Sequence, residues 1–349
     1  MSSVDVVVPC YRYGSLLRDC VGSVLTQVGV DVRVLIVDDA SPDDSAEVAR
    51  QLAAEDPRVE VIVHGRNIGH IATYNEGLLG WCKADYSVLL SADDQLTPGA
   101  LYRAAALLDA HPGVGFVYGH YLRIAGGAAP PRPRTDLRGW TVRAGHDWLA
   151  RRFRSGGGCI ASPEVVVRTS LQQRLGGYDP ALPHTGDIEM WMRFAANADV
   201  GYLRGVDQAY YRIHDANMST ARYVEAGGLG DLRQRLAAYE TVLRTQGHLL
   251  PDAAALDTAV RRRIAREAVY RASRAYDRRR TATVPVEALV AFAEQTWPGT
   301  HRLPEYAGLR LRRRIGPRAM PYLQPLVLSA LTHKAQERLW WETWKRTGV

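Results

Sequence analysis

From Val4 to Tyr118 the chain alternates short apolar runs with longer stretches of helical period. Val4–Val8, Val32–Val37, Val59–Val63, Val88–Leu90 and Val114–Tyr118 predict five strands, brief and rich in β-branched residues as strands buried on both faces are. Between them, Leu16, Leu17, Cys20, Val21, Val24 and Leu25 recur at helical spacing and predict a helix over 15–27. Further helices are predicted over 45–54, 71–81 and 101–108, with Pro98 opening the last of these in its first turn, where no N–H is needed. Strands alternating with helices mean an α/β fold: a mostly parallel sheet flanked by helices and joined by right-handed crossovers.

Such sheets gather ligands at the carboxyl ends of their strands. Here those ends carry Tyr11, Asp38-Asp39, Arg66-Asn67 and Asp93-Asp94. Adjacent acids suit a divalent cation, and a cation suits a diphosphate. The competing reading of each is turn or cap chemistry, which Asp and Ser also favour. Neither G-x-G-x-x-G nor a P-loop follows the first strand, so Pro9-Cys-Tyr-Arg-Tyr-Gly14 is no phosphate cradle of those kinds. Tyr11 is instead suited to stack on a base, and Asp39 to accept a base N–H.

Beyond Tyr118 the pattern is less regular. Ala125–Arg134 is rich in Pro and Gly and reads as a boundary or a lid. Gly156-Gly-Gly158 offers backbone without Cβ atoms, allowing close approach of a ligand or a strand. Val165–Val167 is strand-like, and Gly176-Gly-Tyr-Asp179 is a turn. Asp187 falls at the start of a helix that carries Met190, Trp191 and Phe194, where the dipole favours a carboxylate; N-capping is the competing role. His214 ends a strand-like Ala209–Ile213, and a partner such as Asp94 would mark it as a ligand rather than a structural histidine. Residues 222–349 read as helices over 229–244, 253–280 and 286–295, studded with Arg261–Arg263, Arg278–Arg280 and Arg312–Arg314, runs that usually form solvated faces.

Charge sharpens this division. Residues 1–221 hold 21 Lys and Arg against 25 Asp and Glu, whereas 222–349 hold 23 against 12, so all of the net +7 comes from the C-terminal part. Its positive surface suits an anionic membrane or substrate, and the tail Leu339-Trp-Trp-Glu-Thr-Trp344 suits a membrane interface, a partner subunit or its own domain. No nucleic-acid motif accompanies the charge. The four cysteines show no C-x-x-C pairing, no apolar run reaches the length of a membrane span, and the first residues lack a secretory pattern. A reducing cytoplasm is the expected location.

Taken together, Val6-Val-Val-Pro-Cys-Tyr11, Val37-Asp-Asp-Ala-Ser41, Asn67-Ile-Gly69 with Asn75-Glu-Gly77, Ala92-Asp-Asp94, Gly176-Gly-Tyr-Asp179, Asp187-Ile-Glu-Met-Trp191 and Tyr211-Arg-Ile-His214 resemble the family-2 inverting glycosyltransferases of GT-A fold, over roughly residues 4–220. The resemblance implies a nucleotide-diphosphate sugar as donor and a hydroxyl as acceptor. Pro9, Tyr11, Asp39 and Asp93 would hold the nucleotide, with Arg66 and Asn67 nearby. Asp94 would bind Mg²⁺ or Mn²⁺ with His214 as a further ligand. Asp187 would be the general base, and Gly158, Glu189 and Trp191 would lie toward the acceptor. Gly186 stands where the family commonly has Glu. Q-x-x-R-W and membrane spans, which mark the chain-building synthases of the family, are missing, so a single transfer is expected. The expected organisation is a nucleotide-sugar half (1–124), an acceptor half (125–221) and a basic helical region (222–349) that could meet a membrane or a second copy. Two other readings stay open: a nucleotidyltransferase, which shares the sheet and the acids, and a non-catalytic nucleotide-sugar-binding scaffold.

Overall fold

The structure is a computed structural model that describes all residues except 126–127, 158–159, 215–225, 323–338, 340–342, 345–346 and 349. The chain forms two compact units: Met1–Trp148 with Cys159–His214 and Lys345–Gly348, and Leu149–Gly158 with Asp215–Trp344 and Val349.

The first unit is built on an eight-stranded sheet. Four parallel strands come first: β1 (Ser3–Cys10), β2 (Asp31–Asp38), β3 (Val59–Val63) and β4 (Tyr86–Leu89). Val4, Val6, Val7 and Val8 of β1 are all buried, because helices cover both faces and leave no polar side to the strand. Asp5, in the middle of that run, is buried too. It is satisfied by both guanidinium arms of Arg33, at 2.9 and 2.8 Å, and by the backbone N–H groups of Lys83 and Ala84. β6 (Val114–Tyr118) and β10 (Asp199–Leu203) extend the parallel set, while β9 (Val165–Arg168) runs antiparallel between β4 and β6, and β8 (Trp140–Arg143) antiparallel at the edge.

A second sheet of three strands orders β5 (Gln95–Leu96), β11 (Ala209–Ile213) and β7 (Tyr121–Ala125). The helices of this unit are α1 (Gly14–Leu25), α2 (Ser45–Glu55), α3 (His70–Asn75), α4 (Ala100–Ala110), the start of α5 (Gly145–Ser155), α6 (Thr169–Leu175) and α7 (Gly186–Ala195). Two differences from the sequence pattern bear on the site. The helix expected over 71–81 changes at Glu76 into a π-helical turn, Glu76–Trp81. Pro98 lies two residues ahead of α4, whose N-cap is Gly99, because Leu96 and Thr97 are drawn into pairing with β11 and its approach.

The second unit contains α8 (Leu229–Gln246), α9 (Ala253–Asp277), α10 (Val286–Thr296) and α11 (Pro304–Ile315). Tyr239, Val260, Ile264, Val269, Leu289 and Leu309 are buried among them. The arginine runs are only partly solvated. Arg312 is buried against Asp277 at 2.8 Å, Arg261 bridges Asp257 and Glu240, and Arg235 and Arg271 share Glu267 and Asp231. Trp344 is likewise buried, beneath the guanidinium of Arg152.

Candidate active site

β1 and β2 end side by side, and their following loops are tied together. The Asp39 N–H donates to the Cys10 carbonyl, and the Arg12 N–H to the Ser41 hydroxyl. Arg12 (φ 66°) and Ala40 (φ 56°) hold left-handed backbone there, which costs a non-glycine residue about 1–2 kcal/mol and marks loops whose shape is imposed by their surroundings. Pro9 is buried within β1 beside Val37, whereas Tyr11 is exposed at its end. Asp39 is buried and accepts from the Ile68 N–H at 2.8 Å, the Gly69 N–H at 2.9 Å and His64 Nδ1 at 2.9 Å. These bonds outweigh burial and hold its carboxyl below the ordinary range. Asn67 donates from Nδ2 to the Asp39 carbonyl, and Arg66 is exposed on the same loop.

The Asp93-Asp94 pair is organised by the small sheet. β5 follows the two acids directly and pairs with β11, which delivers residues more than a hundred positions away. The Arg212 N–H donates to Asp94 Oδ1 at 2.8 Å, Arg212 Nε to the Asp93 carbonyl at 3.0 Å, and His214 Nε2 lies 3.0 Å from Asp93 Oδ2. His214 therefore sits against Asp93 rather than Asp94. Tyr13 closes the group, its hydroxyl 3.5 Å from His214 Nε2 and the two rings edge to face. Burial, with Asp93 adding like charge, pushes the Asp94 carboxyl well above its usual range.

Asp187 lies half-buried in the first turn of α7, its Oδ1 accepting the Ile188 N–H at 2.7 Å. Burial pushes its carboxyl up to about 6 despite that bond and the nearby His184. The helix is anchored from behind. Glu189 is buried and grips Arg193 with both oxygens, and Arg193 in turn donates to the carbonyls of Leu175, Gly176 and Gly177. Trp191 is buried and stacked on Phe116. The structure thus draws Glu189 and Trp191 into the packing behind α7, because helical spacing turns them toward the core while Asp187 stays half-exposed. Gly158 lies outside the described residues.

Tyr74 connects the two acid groups. Its half-buried phenol is raised by burial and then by the fields of Asp93, Tyr13, Asp187 and Asp94. Its ring packs edge to face on Tyr178 and on His70. Asn75 next to it pairs with the backbone of Tyr178 like a strand neighbour, donating to the carbonyl at 2.9 Å and accepting from the N–H at 2.7 Å. Two glycines make room. A Cβ on Gly177 would fall 2.0 Å from Asn75 Oδ1, and one on Gly186 would press on the Tyr178 ring at 3.0 Å. The glycine at 186 thus accommodates Tyr178. Tyr13, His64, Tyr74 and Tyr178 were not singled out from sequence; the only signal was their position within or beside the strand-end segments.

The residues present suit a divalent cation. Among the described residues no three His, Cys, Asp or Glu side chains form a protein-only metal cluster. Mg²⁺ and similar hard ions, however, are commonly held by one or two carboxylates and completed by substrate phosphates. A buried carboxylate pair beside an imidazole is a donor set of that kind. A separate hollow of about 760 Å³, lined by Asp85, Tyr86, Asp109, Arg168 and Thr169, lies at the opposite, amino end of β4.

An open α/β sheet with acids gathered at the carboxyl ends of its strands is a ligand-binding arrangement. Residues 5–166, a little under half of the chain, match glycosyl transferase family 2. The protein y4gI of Sinorhizobium fredii, itself uncharacterised, is 33% identical over 250 residues, which cover 71% of this chain; the chain spans only 26% of that relative's length. Staphylococcus aureus TarS 1–349, solved in complex with UDP-GlcNAc, superposes with a TM-score of 0.60 at 15% identity, over 91% of this chain and 89% of that one. The mannosyltransferase PcManGT of Pyrobaculum calidifontis, solved with GDP-Man and Mn²⁺, superposes with a TM-score of 0.53 at 16% identity, over 92% and 87%. At these identities the structures establish the fold alone, which is GT-A.

Proposed function

We propose that this protein is a glycosyltransferase that moves a single sugar, with inversion, from a nucleotide-diphosphate sugar to an acceptor hydroxyl on a surface glycan or natural product, and that it uses Mg²⁺ or Mn²⁺. The observation that carries the reading is the buried Asp93-Asp94 pair at a strand end, with the Arg212 N–H on Asp94 and the His214 imidazole 3.0 Å from Asp93. The nucleotide-sugars bound by TarS and PcManGT support the donor class, and the Mn²⁺ of PcManGT supports the metal.

In this reading Pro9, Tyr11 and Asp39 receive the nucleotide base, with Arg66 and Asn67 beside them and Asp93 toward the ribose. Asp94 and His214 hold the cation. When bound, the cation stabilises the charge that develops on the departing diphosphate. Asp187 accepts the proton of the attacking hydroxyl, and a carboxyl poised near 6 is ionised at neutral pH while remaining a stronger base than an ordinary carboxylate. A single base suffices for inversion, because the hydroxyl enters opposite the leaving group. Burial and the fields of these acids keep the Tyr74 phenol neutral. The arginines of the second unit that remain exposed, among them Arg278, Arg280, Arg310, Arg314 and Arg318, suit contact with an anionic membrane or substrate. No helix among the described residues is long and apolar enough to cross a membrane.

The test is a thermal-shift screen of UDP-, GDP- and dTDP-sugars with and without Mn²⁺, followed by NMR of the product anomer for the donor found. A cation-dependent rise in melting temperature and an inverted anomeric centre support the reading; a retained centre overturns it.

A further inference from the structure

His64 follows β3 directly, and its N–H continues the ladder by donating to the Asp38 carbonyl at 2.9 Å. Its ring reaches between two acids from different elements. Nδ1 lies 2.9 Å from Asp39 Oδ1, at the end of β2, and Nε2 lies 2.7 Å from Glu76 Oε2, at the start of the π-helical turn. The imidazole and Asp39 are largely shielded, with side chains 10% and 5% exposed, while Glu76 is 41% exposed. A neutral imidazole has only one N–H, so one of these two short contacts would lack a donor; the imidazolium supplies both.

We infer that His64, held as an imidazolium between Asp39 and Glu76, is a positioning residue for the nucleotide: it orients and charges the Asp39 carboxylate that meets the base, and its deprotonation weakens donor binding. This deepens the reading proposed above and rests on Asp39 being a base contact. Asp39 already takes the Ile68 and Gly69 N–H groups and His64, leaving about one of the roughly four acceptor positions of a carboxylate for a ligand. Which position stays open depends on the other three donors remaining in place. The charged groups bearing on the ring agree in direction. Burial disfavours the imidazolium, but the bonds to Asp39 and Glu76 overcome it and raise His64 above its ordinary value. Arg66, the nearest cation along the loop, is exposed and has no hydrogen bond to either acid.

The sign follows. A raised histidine is charged below its folded pKa and loses the proton as pH rises, so the clamp is complete at low pH and released on the alkaline side. One ring nitrogen then faces a carboxylate with a lone pair, and the three-group chain opens at Asp39 or at Glu76.

The experiment is calorimetric titration of whichever of UDP and GDP the wild-type protein binds more tightly, from pH 6 to 9, with wild type, His64→Gln, Glu76→Gln and Asp39→Asn. The ¹⁵N resonances of His64 are followed in the free protein. Wild-type affinity is expected to fall about tenfold across the His64 titration, as one charge-assisted bond is lost. His64→Gln is expected to bind about tenfold more weakly at pH 6.5 with no such pH dependence, to raise KM for the donor, and to leave kcat within about twofold. Glu76→Gln, which keeps the fold of the exposed turn, should lower the His64 titration and move the binding curve with it. Unchanged affinity in His64→Gln, or an imidazole that is neutral at pH 6.5, overturns the inference while leaving Asp39 as a base contact if Asp39→Asn still weakens binding. Unchanged affinity in Asp39→Asn overturns the base contact itself, and the positioning role with it.

Discussion

The two units of this chain treat buried charge in opposite ways. In the second, Arg235 and Arg271 meet Glu267 and Asp231 in a closed network, and the paired guanidiniums hold Glu267 down to about 2. In the first, the field of Arg212 does not offset burial and the like charge of Asp93, so Asp94 stays well above its usual range, and half-buried Asp187 is pushed up to about 6. Charge that is buried and matched fixes a fold. Charge that is buried and left raised is available to a ligand, a cation or a proton, and such groups concentrate at working sites. The same contrast recurs within the first unit: Asp5 is buried yet saturated by Arg33 and two N–H groups at the far end of the sheet from Asp94.

Substitutions separate the two kinds. Asp187→Asn is expected to have the largest effect, lowering kcat by roughly 10²–10⁴. Thermal stability should hardly change, since the side chain accepts a hydrogen bond of 2.7 Å from its neighbour's N–H; steady-state kinetics and calorimetry check both. Glu267→Ala should do the reverse. It leaves Arg235 and Arg271 with Asp231 but without the second acid they share, and should cost about 3 kcal/mol of stability by denaturant titration, whereas kcat per folded molecule is retained. A smaller effect is the acid limb of the rate. As pH falls through about 6, Asp187 gains its proton and kcat/KM should drop tenfold per pH unit, a limb lost in Asp187→Asn. Smallest is Tyr74→Phe, expected to lower kcat by about tenfold or less through loss of a neutral hydroxyl on which the fields of the acids act, measured at saturating donor and metal.

Much of this contrast is written locally. Val4–Val8 and Val32–Val37 are apolar enough to require a sheet covered on both faces, and the acids that follow such strands must lie at its edge. What could not be read is the pairing between distant segments. β5 is two residues long and β8 four, too short for a periodic signal, yet β5 against β11 carries Arg212 and His214 to the acids. Asn75 and Tyr178 stand in separate motifs, and only the folded chain shows that one amide joins them. Glu189 and Trp191 erred the other way: their nearness to Asp187 in sequence suggested a shared role, but the helix turns them toward Arg193 and Phe116. The arginine runs, read as solvated faces, include Arg312, whose buried pairing with Asp277 spacing cannot reveal.

The most direct measurement is Mn²⁺ binding, followed by electron paramagnetic resonance with and without nucleoside diphosphate. Wild type and Asp187→Asn should bind Mn²⁺ at least about tenfold more tightly when the diphosphate is present, because its oxygens complete the coordination that Asp94 begins. Asp94→Asn should lose that gain. Undiminished, diphosphate-enhanced Mn²⁺ binding in Asp94→Asn would contradict a cation site at the paired acids.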